Sequence, residues 1–402
     1  VAERDFDIFI SGGGIAGLVA ASAFGTAGFS VLLADPAPAP SIRDGSNADP
    51  RSTAFLLPSR NLLEEAGLWS SLVSHATYLS ALRVVDTAGW PPQVTGSYRF
   101  LPEDLGETTF GWNIPNRVVR AETARKAGSL ANIEIVCGSG FRSILTRTDR
   151  AHVTLTNGRR LRVRLVIAAD GQGSPVREAV GIGAATIRYG QKALTFEARH
   201  ATPHHNISTE IYSEGGAFTT VPLPDTAGQP ASAIVWMDFG ARAEDLAALE
   251  RADFDREMTV RSSGLLGPMQ RLGPVRIWPV ITRQARRIFA ERTALVAEAA
   301  HVLPPIGAQG LNTSLRDIAV LLDLARKDPG ALGSPRHLIR YARARATRIS
   351  LLVRTVDLVN RACMSSNPGV RSARRVGLAA THGIVPLRRA VMRAGMDGLQ
   401  SA

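Results

Sequence analysis

Asp7-Ile8-Phe9-Ile10-Ser11-Gly12-Gly13-Gly14-Ile15-Ala16-Gly17 decides how the rest of this 402-residue chain is read. Four residues of strand pattern run directly into Gly-x-Gly-x-x-Gly at Gly12, Gly14 and Gly17. Leu18 to Ala27 continues as a small-residue helix, Ser30 to Ala34 reads as the next strand, and Asp35 ends it 18 residues after Gly17. Glycine lets a backbone turn tightly and approach a ligand closely. The helix N-terminus offers unpaired N–H groups to a pyrophosphate, and the acid takes ribose hydroxyls. The glycine pattern alone is common, but the strand, helix and acid in their required order predict dinucleotide binding. Gly12, Gly14, Ala16, Gly17 and Asp35 are the candidate contacts.

Two later segments share this character. Arg164 to Ala169 is a buried-strand run that ends in Asp170-Gly171-Gln172-Gly173-Ser174-Pro175-Val176-Arg177. Ala294-Leu295-Val296 reads as another short buried strand, followed by Ala297-Glu298-Ala299-Ala300-His301-Val302-Leu303-Pro304-Pro305-Ile306-Gly307-Ala308-Gln309-Gly310-Leu311-Asn312. Two prolines stiffen that last segment, and its small residues admit a flat ligand. The apolar run Ile318 to Leu324 predicts a helix whose positive end faces back toward an anionic cofactor.

In this order the three segments resemble the FAD-dependent aromatic monooxygenases of the para-hydroxybenzoate hydroxylase class. The resemblance implies that the first motif holds the ADP half of FAD. The second serves FAD and NAD(P)H, and the third holds the ribityl and isoalloxazine parts. Further stretches narrow the resemblance to the hydroxylases of ubiquinone biosynthesis, which act on polyprenylated phenols. They are Asp49 to Ala54, Ser59, Gly67-Leu68-Trp69, Asn116-Arg117, Trp278-Pro279-Val280, Gln284 to Arg287 and Leu315-Arg316-Asp317, so nearly the whole chain is covered. The implied cofactor contacts add Arg51, Asn116, Arg117, Asp170, Gly171, Ser174, Arg177, Glu298, Gly307, Gln309, Gly310, Leu311 and Asn312 to the first set.

Departures from the class are confined to the third motif. Ala297-Glu298 stands where the class has Gly-Asp, and Ala308 where it has a second glycine. Glu298 keeps a carboxylate for ribityl hydroxyls on a longer stem. The alanines are tolerated only where the backbone angles need not be positive, and Gly310 remains where the turn is expected to need a glycine.

Bulk properties bound the rest. Only Cys137 and Cys363 occur, in no metal-ligand pattern, which suits a reducing cytoplasm. No positively charged n-region precedes the first apolar stretch, which is already the first strand, and no apolar run is long enough to span a bilayer, so neither a signal peptide nor a transmembrane helix is expected. The net charge of +12 is uneven: residues 336–402 hold thirteen arginines against Asp357 and Asp397, a local +11. Two interpretations of this tail stay open. One is packed helices with solvated arginine faces; the other is contact with an anionic membrane surface or quinone-biosynthesis partners. Nucleic acid is disfavoured, because no aromatic platform interleaves the charges. The expected location is cytoplasmic, with peripheral attachment to the inner face of the membrane as an alternative.

The motifs must converge, so the expected fold is α/β: a discontinuous Rossmann-like FAD-binding domain over 1–75, 109–180 and 278–325. A mostly antiparallel β-sheet substrate domain is inserted at 76–108 and 181–277, and 326–402 is a basic helical tail. Strand patterns at Ala81–Asp86, Lys192–Ala198, Thr209–Tyr212, Ala217–Val221 and Ala231–Asp238 support the insertion. Pro304 and Pro305, in the flavin-holding turn, and Tyr212, on the pocket sheet, are the candidate catalytic positions. Tyr212 either orients a phenol or is a core tyrosine. His301 is expected to be packed or backbone-bonded rather than a base, and no metal site is expected. A single dinucleotide fingerprint implies that NAD(P)H docks transiently, reduces the flavin and leaves. The expected activity is hydroxylation of a lipophilic phenol with O2. The alternatives are a membrane-associated scaffold subunit that has lost turnover and a flavin-dependent isoprenoid reductase.

Overall fold

The computed structural model describes residues 4–39 and 49–396. Its first sheet is built on Arg4–Ser11, which pairs in parallel with Val31–Asp35 on one side and Arg160–Ala168 on the other. Ile133–Cys137 extends the sheet in parallel beyond Val31–Asp35, and Thr293–Leu295 extends it beyond Arg160–Ala168. The inner strands are near-continuous apolar runs because both faces are covered, as parallel sheets require. Ile8, Phe9, Ile10, Val166 and Ile167 are fully buried. The helix Ile15–Thr26 packs its small residues against this sheet, and an antiparallel hairpin of Phe141–Thr146 and Ala151–Leu155 extends it.

The second sheet has eight strands. In spatial order they are His301–Val302, Met269–Ala285, Ala184–His200, Gln229–Phe239, Gly216–Thr226, Ile207–Ser213, Ala81–Ala88 and Gln93–Phe100. Ile207–Ser213 with Ala81–Ala88 is its parallel pair; the others run antiparallel. Alternation divides its residues between two faces. Leu194, Phe196 and Trp236 pack with Phe254 and Met258 of the helix Arg251–Arg261. Ala193, Tyr212 and Met237 join a separate cluster on the other side. Met269–Ala285 is one continuous strand of this sheet, so the sheet runs past residue 277, where the sequence expectation ended it.

Phe289–Ala290 adds an antiparallel edge to the first sheet beside Thr293–Leu295, and a three-stranded sheet of Ser52–Leu56, Gly111–Pro115 and Thr77–Leu79 completes the strand architecture of the described residues. The chain then ends in the helices Pro335–Met364, Pro368–Gly383 and Val385–Gly395. The first is capped by the Ser334 hydroxyl, which accepts from His337 N–H, and docks through Tyr341, whose hydroxyl donates to the Leu295 carbonyl at 2.8 Å. This tail is not a separate basic appendage with uniformly solvated arginines. Arg345 and Arg374 are buried against Asp317 and Asp86 at 2.8 and 2.6 Å. No helix of the described residues is long and apolar enough to cross a membrane.

Candidate active site

The first glycine turn divides its labour. Gly12 has φ +107°, and a Cβ there would lie 2.4 Å from the Ala169 carbonyl oxygen. A Cβ on Gly17 would meet Gly12 O at 1.9 Å, so Gly17 serves close helix–strand packing and does not line the cavity. Gly14 is different: a Cβ there meets no atom within 4 Å, and the residue faces open cavity at the start of Ile15–Thr26. Asp35 accepts from the N–H groups of Gly13 and Ala37 and stands beside Gly14 on the cavity wall. Arg120 also lines this end and donates to Gly13 O at 3.3 Å. It was not among the sequence candidates, although it lies one helical turn after Asn116 and shares its face.

The second motif supplies one cavity carboxylate and two structural residues. Asp170 Oδ2 accepts from the Ser11 hydroxyl at 3.1 Å and from Val176 N–H at 3.2 Å, whereas its Oδ1 is buried with no partner. Burial holds this carboxyl above its ordinary value, against donors on Ser174, Val176 and Ser11. Gly171 lines the cavity with φ +82°. Ser174 and Arg177 were expected to touch cofactor, and the structure places both off the cavity wall. Ser174 caps a short helix by accepting from Arg177 N–H at 3.0 Å. The Arg177 side chain, 2 % exposed, donates to the carbonyls of Gln172 and Ala299 and so ties the second motif to the third.

In the third motif, Ala297 and Ala308 both have φ +54°, so the condition set for these alanines fails. They stand in left-handed backbone, which costs an L-residue roughly 1 kcal/mol each. Gly307 has φ +65°, whereas Gly310 is an ordinary first-turn residue of the helix Gln309–Lys327. The glycine demanded by the turn is thus Gly307. Glu298, Pro304, Pro305, Gly307, Gln309, Gly310 and Leu311 line the cavity. Asn312 does not. Its amide N–H groups bond the Ala54 and Ala308 carbonyls at 2.7 Å and its oxygen accepts from Leu56 N–H, stapling this segment to Ser52–Leu56. His301 bonds a side chain rather than backbone. Its Nε2 is 2.7 Å from Asp317 Oδ2, while Arg345 Nε donates to Asp317 Oδ1.

These elements enclose one cavity of about 2030 Å³. Arg51, Asn116 and Arg117 line its flank. Arg51 pairs with Asp49 and stacks over Trp278 at 4.5 Å, Asn116 accepts from the Thr53 hydroxyl at 2.7 Å, and Arg117 pairs with Glu197 at 2.9 Å. The far end is an apolar chamber that includes Leu79, Val84, Phe100, Phe110, Tyr212 and Val280. Val356, Val359, Cys363, Leu378 and Met392 of the tail helices line it too, so the tail is part of the site. Tyr212 donates to Glu210 Oε2 at 2.9 Å, and Glu210 Oε1 accepts from Gly307 N–H at 2.7 Å. Glu210 escaped sequence reasoning because a lone acid in an alternating strand resembles a solvent-facing residue.

The residues fit FAD. A glycine opens onto unfilled space at a helix N-terminus, an unpartnered carboxylate oxygen lies further along the same wall, and the cavity is continuous from both to the third motif. This combination defines a flavin-dependent monooxygenase in which the cofactor site opens into an apolar substrate chamber. The chain belongs to the FAD-binding domain family, whose model matches residues 5–356. It is 31 % identical over 407 residues to the ubiquinone hydroxylase UbiL of Rhodospirillum rubrum, covering 99 % of this chain and 91 % of that protein. It is 26 % identical to the 3-demethoxyubiquinol 3-hydroxylase of Escherichia coli, over 96 % of this chain and 97 % of that one. The p-nitrophenol 4-monooxygenase PnpA of Pseudomonas putida shares the fold, with TM-score 0.78, 19 % identity and coverage of 99 % and 100 %.

Proposed function

We infer that the protein is an FAD-dependent aromatic ring hydroxylase of ubiquinone biosynthesis, using NAD(P)H and O2 on a polyprenylated phenol. The observation that carries this is the single cavity joining all three cofactor motifs to an apolar chamber. When bound and reduced, FAD supplies the oxygen activation. The chain's own residues place the two reactants. The helix after Gly14 would receive the pyrophosphate, Asp35 and Glu298 would take hydroxyls, and Pro304 and Pro305, which line the cavity, would stiffen the flavin-holding turn. The apolar chamber excludes water from the reacting face. The test is a deletion strain, which should lack ubiquinone and accumulate an under-hydroxylated precursor, with the purified protein converting that precursor. NAD(P)H consumption with no hydroxylated product, and normal ubiquinone in the strain, would support a reductase instead.

The tail supports a second element of this proposal, attachment to an anionic bilayer. Leu351, Leu358 and Val391 are 66 %, 68 % and 47 % exposed and also border the cavity. The same helices carry the exposed Arg348, Arg354, Arg389 and Arg393. Exposed apolar side chains bordering the cavity, on helices that also present cations, suit a lipophilic substrate drawn from a negatively charged membrane.

A further inference from the structure

The three tail helices are not held alike. Pro335–Met364 is fixed by the buried Tyr341, Arg345 and Asn360, and Pro368–Gly383 by the buried Arg374. Val385–Gly395 has one buried side chain, Met392. It is tied to the body of the protein by a partly exposed ion pair, in which Arg388 donates to both oxygens of Asp104 at 2.9 and 2.8 Å. Gln309 Nε2 adds a bond to the Gly395 carbonyl at 2.9 Å. Yet Val391, Met392, Ala394 and Gly395 border the cavity, so the most weakly tied helix is a wall of the apolar chamber. A break at Ile384 separates it from Pro368–Gly383, and a Cβ at Gly383 would meet no atom within 4 Å, so nothing packs against that joint. Its near side is anchored by His382, whose ring packs on Tyr98 and Phe100.

On the strength of the aromatic hydroxylase function set out above, we propose that Val385–Gly395 is a lid over the substrate chamber, latched by Arg388 and Asp104, which an anionic bilayer opens to admit the lipophilic phenol. The helix sorts its side chains by interval. Arg388, Met392 and Met396 follow at steps of four and form the inward stripe, with both methionines buried in the chamber cluster. Leu387 and Val391, 39 % and 47 % exposed, flank it on one side, and the exposed Arg389 and Arg393 on the other. A surface opens a lid only by binding the open state better than the closed one. Closed, the helix offers a bilayer two arginines and the Leu387–Val391 stripe. Open, it adds Arg388, released from Asp104 to anionic headgroups, and the two methionines, whose unbranched side chains adapt to acyl chains as readily as to the chamber. Closure in turn meets the cofactor turn, because Gln309 Nε2 bonds the Gly307 carbonyl as well as that of Gly395.

Cys363 is a native reporter of the movement. It is fully buried, borders the cavity and packs in one cluster with Met392 and Met396. Burial pushes its thiol up, which keeps it unreactive while the lid is shut. The experiment labels the FAD-loaded full chain with N-ethylmaleimide and quantifies the Cys363 peptide by mass spectrometry, with the exposed Cys137 as the calibrant of reagent. Phosphatidylglycerol vesicles should speed Cys363 labelling of wild type about tenfold, from the basic residues the bilayer attracts, and phosphatidylcholine vesicles should not. Asp104→Asn and Arg388→Gln should each raise the vesicle-free rate about threefold to fivefold and keep the flavin spectrum. Binding of a short-chain 2-prenylphenol, followed by the perturbation of the flavin absorption, should accelerate in parallel. Equal Cys363 labelling in wild type and both variants would overturn the latch, and equal labelling with the two vesicle types would overturn opening by the bilayer. Labelling that behaves as expected in protein that never binds the phenol would leave the lid standing and overturn the hydroxylase function.

Discussion

His301 Nε2 lies 2.7 Å from Asp317 Oδ2, and neither side chain is more than 1 % exposed. Arg345 occupies the other Asp317 oxygen, and the Ala297 N–H reaches Oδ2 at 3.3 Å. One buried carboxylate therefore joins the third cofactor motif to the first tail helix.

Removing one partner of such a set leaves a buried charge uncompensated, which costs about 3–5 kcal/mol. Asp317→Asn should lower the thermal midpoint sharply and release FAD. His301→Asn should lower activity through flavin packing and leave the shape of the pH–rate profile unchanged; loss of one ionisation limb would assign His301 a proton-transfer role. Burial alone would raise the Asp317 pKa, but His301 and Arg345 hold it below the ordinary value of 3.8. A depressed folded-state pKa gives stability that is present above the unfolded value and lost as pH falls through the folded one. Acid unfolding midpoints should therefore shift less with pH below 3.8 in Asp317→Asn than in wild type.

Gly14 and Gly17 should fail in different ways. A Cβ at Gly14 meets no protein atom within 4 Å, so the Gly14→Val apo-protein should melt within about 1 kcal/mol of wild type while FAD binding is abolished. Gly17→Ala forces a Cβ against the Gly12 carbonyl and should lose about 2 kcal/mol or more of fold stability. Calorimetry of the flavin-free proteins separates the two. Equal destabilisation would show that Gly14 also packs.

Ala308→Gly should not weaken the protein. Relief of left-handed strain, about 1 kcal/mol, offsets the entropy lost by fixing a glycine. In denaturant melts its stability should match wild type or rise by up to about 1 kcal/mol. The control Ala319→Gly, inside the helix Gln309–Lys327, should lose about 1 kcal/mol. Equal losses in the two variants would contradict the positive φ.

Asp170→Asn should separate stability from function. Burial raises this carboxyl in the folded state. Its contribution is therefore favourable below the unfolded pKa and lost as pH rises through the folded pKa. At neutral pH the neutral amide should melt no lower than wild type when flavin-free, yet bind FAD roughly tenfold more weakly through the lost charged acceptor. Unchanged flavin affinity would remove Asp170 from the cofactor contacts.

The tail's exposed arginines can be tested without disturbing the cavity. Arg389→Glu with Arg393→Glu should weaken sedimentation with anionic vesicles about tenfold or more at low salt, from about 1 kcal/mol per basic residue. The flavin spectrum should be retained. Deleting the chain after Pro386 is less clean, because it removes Met392 from the cavity wall and the Gly395 carbonyl that accepts from Gln309. Equal vesicle binding by the charge-reversed protein would exclude these arginines from membrane contact.

Residues 7–10, 164–169 and 294–296 were legible as strands because buried parallel strands leave continuous apolar runs. Met269–Ala285 was not recognised as a strand. Gly273, Pro274 and Pro279 interrupt its alternation, and its pairing with Ala184–His200 shifts register twice. The glycine turn was legible as a strand-to-helix turn, since strand, glycines and helix follow in order, but the packing of Gly17 against Gly12, away from the cavity, was not. The burial of Arg345 and Arg374 was hidden because their partners, Asp317 and Asp86, lie 28 and 288 residues away. Charge counted along a tail cannot show which arginines meet distant carboxylates. Ser174, Arg177 and Asn312 looked like ligand contacts because they sit inside binding motifs, but their bonds stay within the protein, to backbone and, for Ser174, also to Asp170.

The parallel sheet draws Arg4–Ser11 and Thr293–Leu295 to either side of Arg160–Ala168. The opening glycine turn therefore leaves the ribosome long before the strands that complete its pocket exist. Contacts this distant in sequence also form slowly. A nascent chain cannot complete its flavin pocket until the third motif, through Leu311, has been synthesised, so the yellow colour of the loaded protein certifies that translation has passed that point.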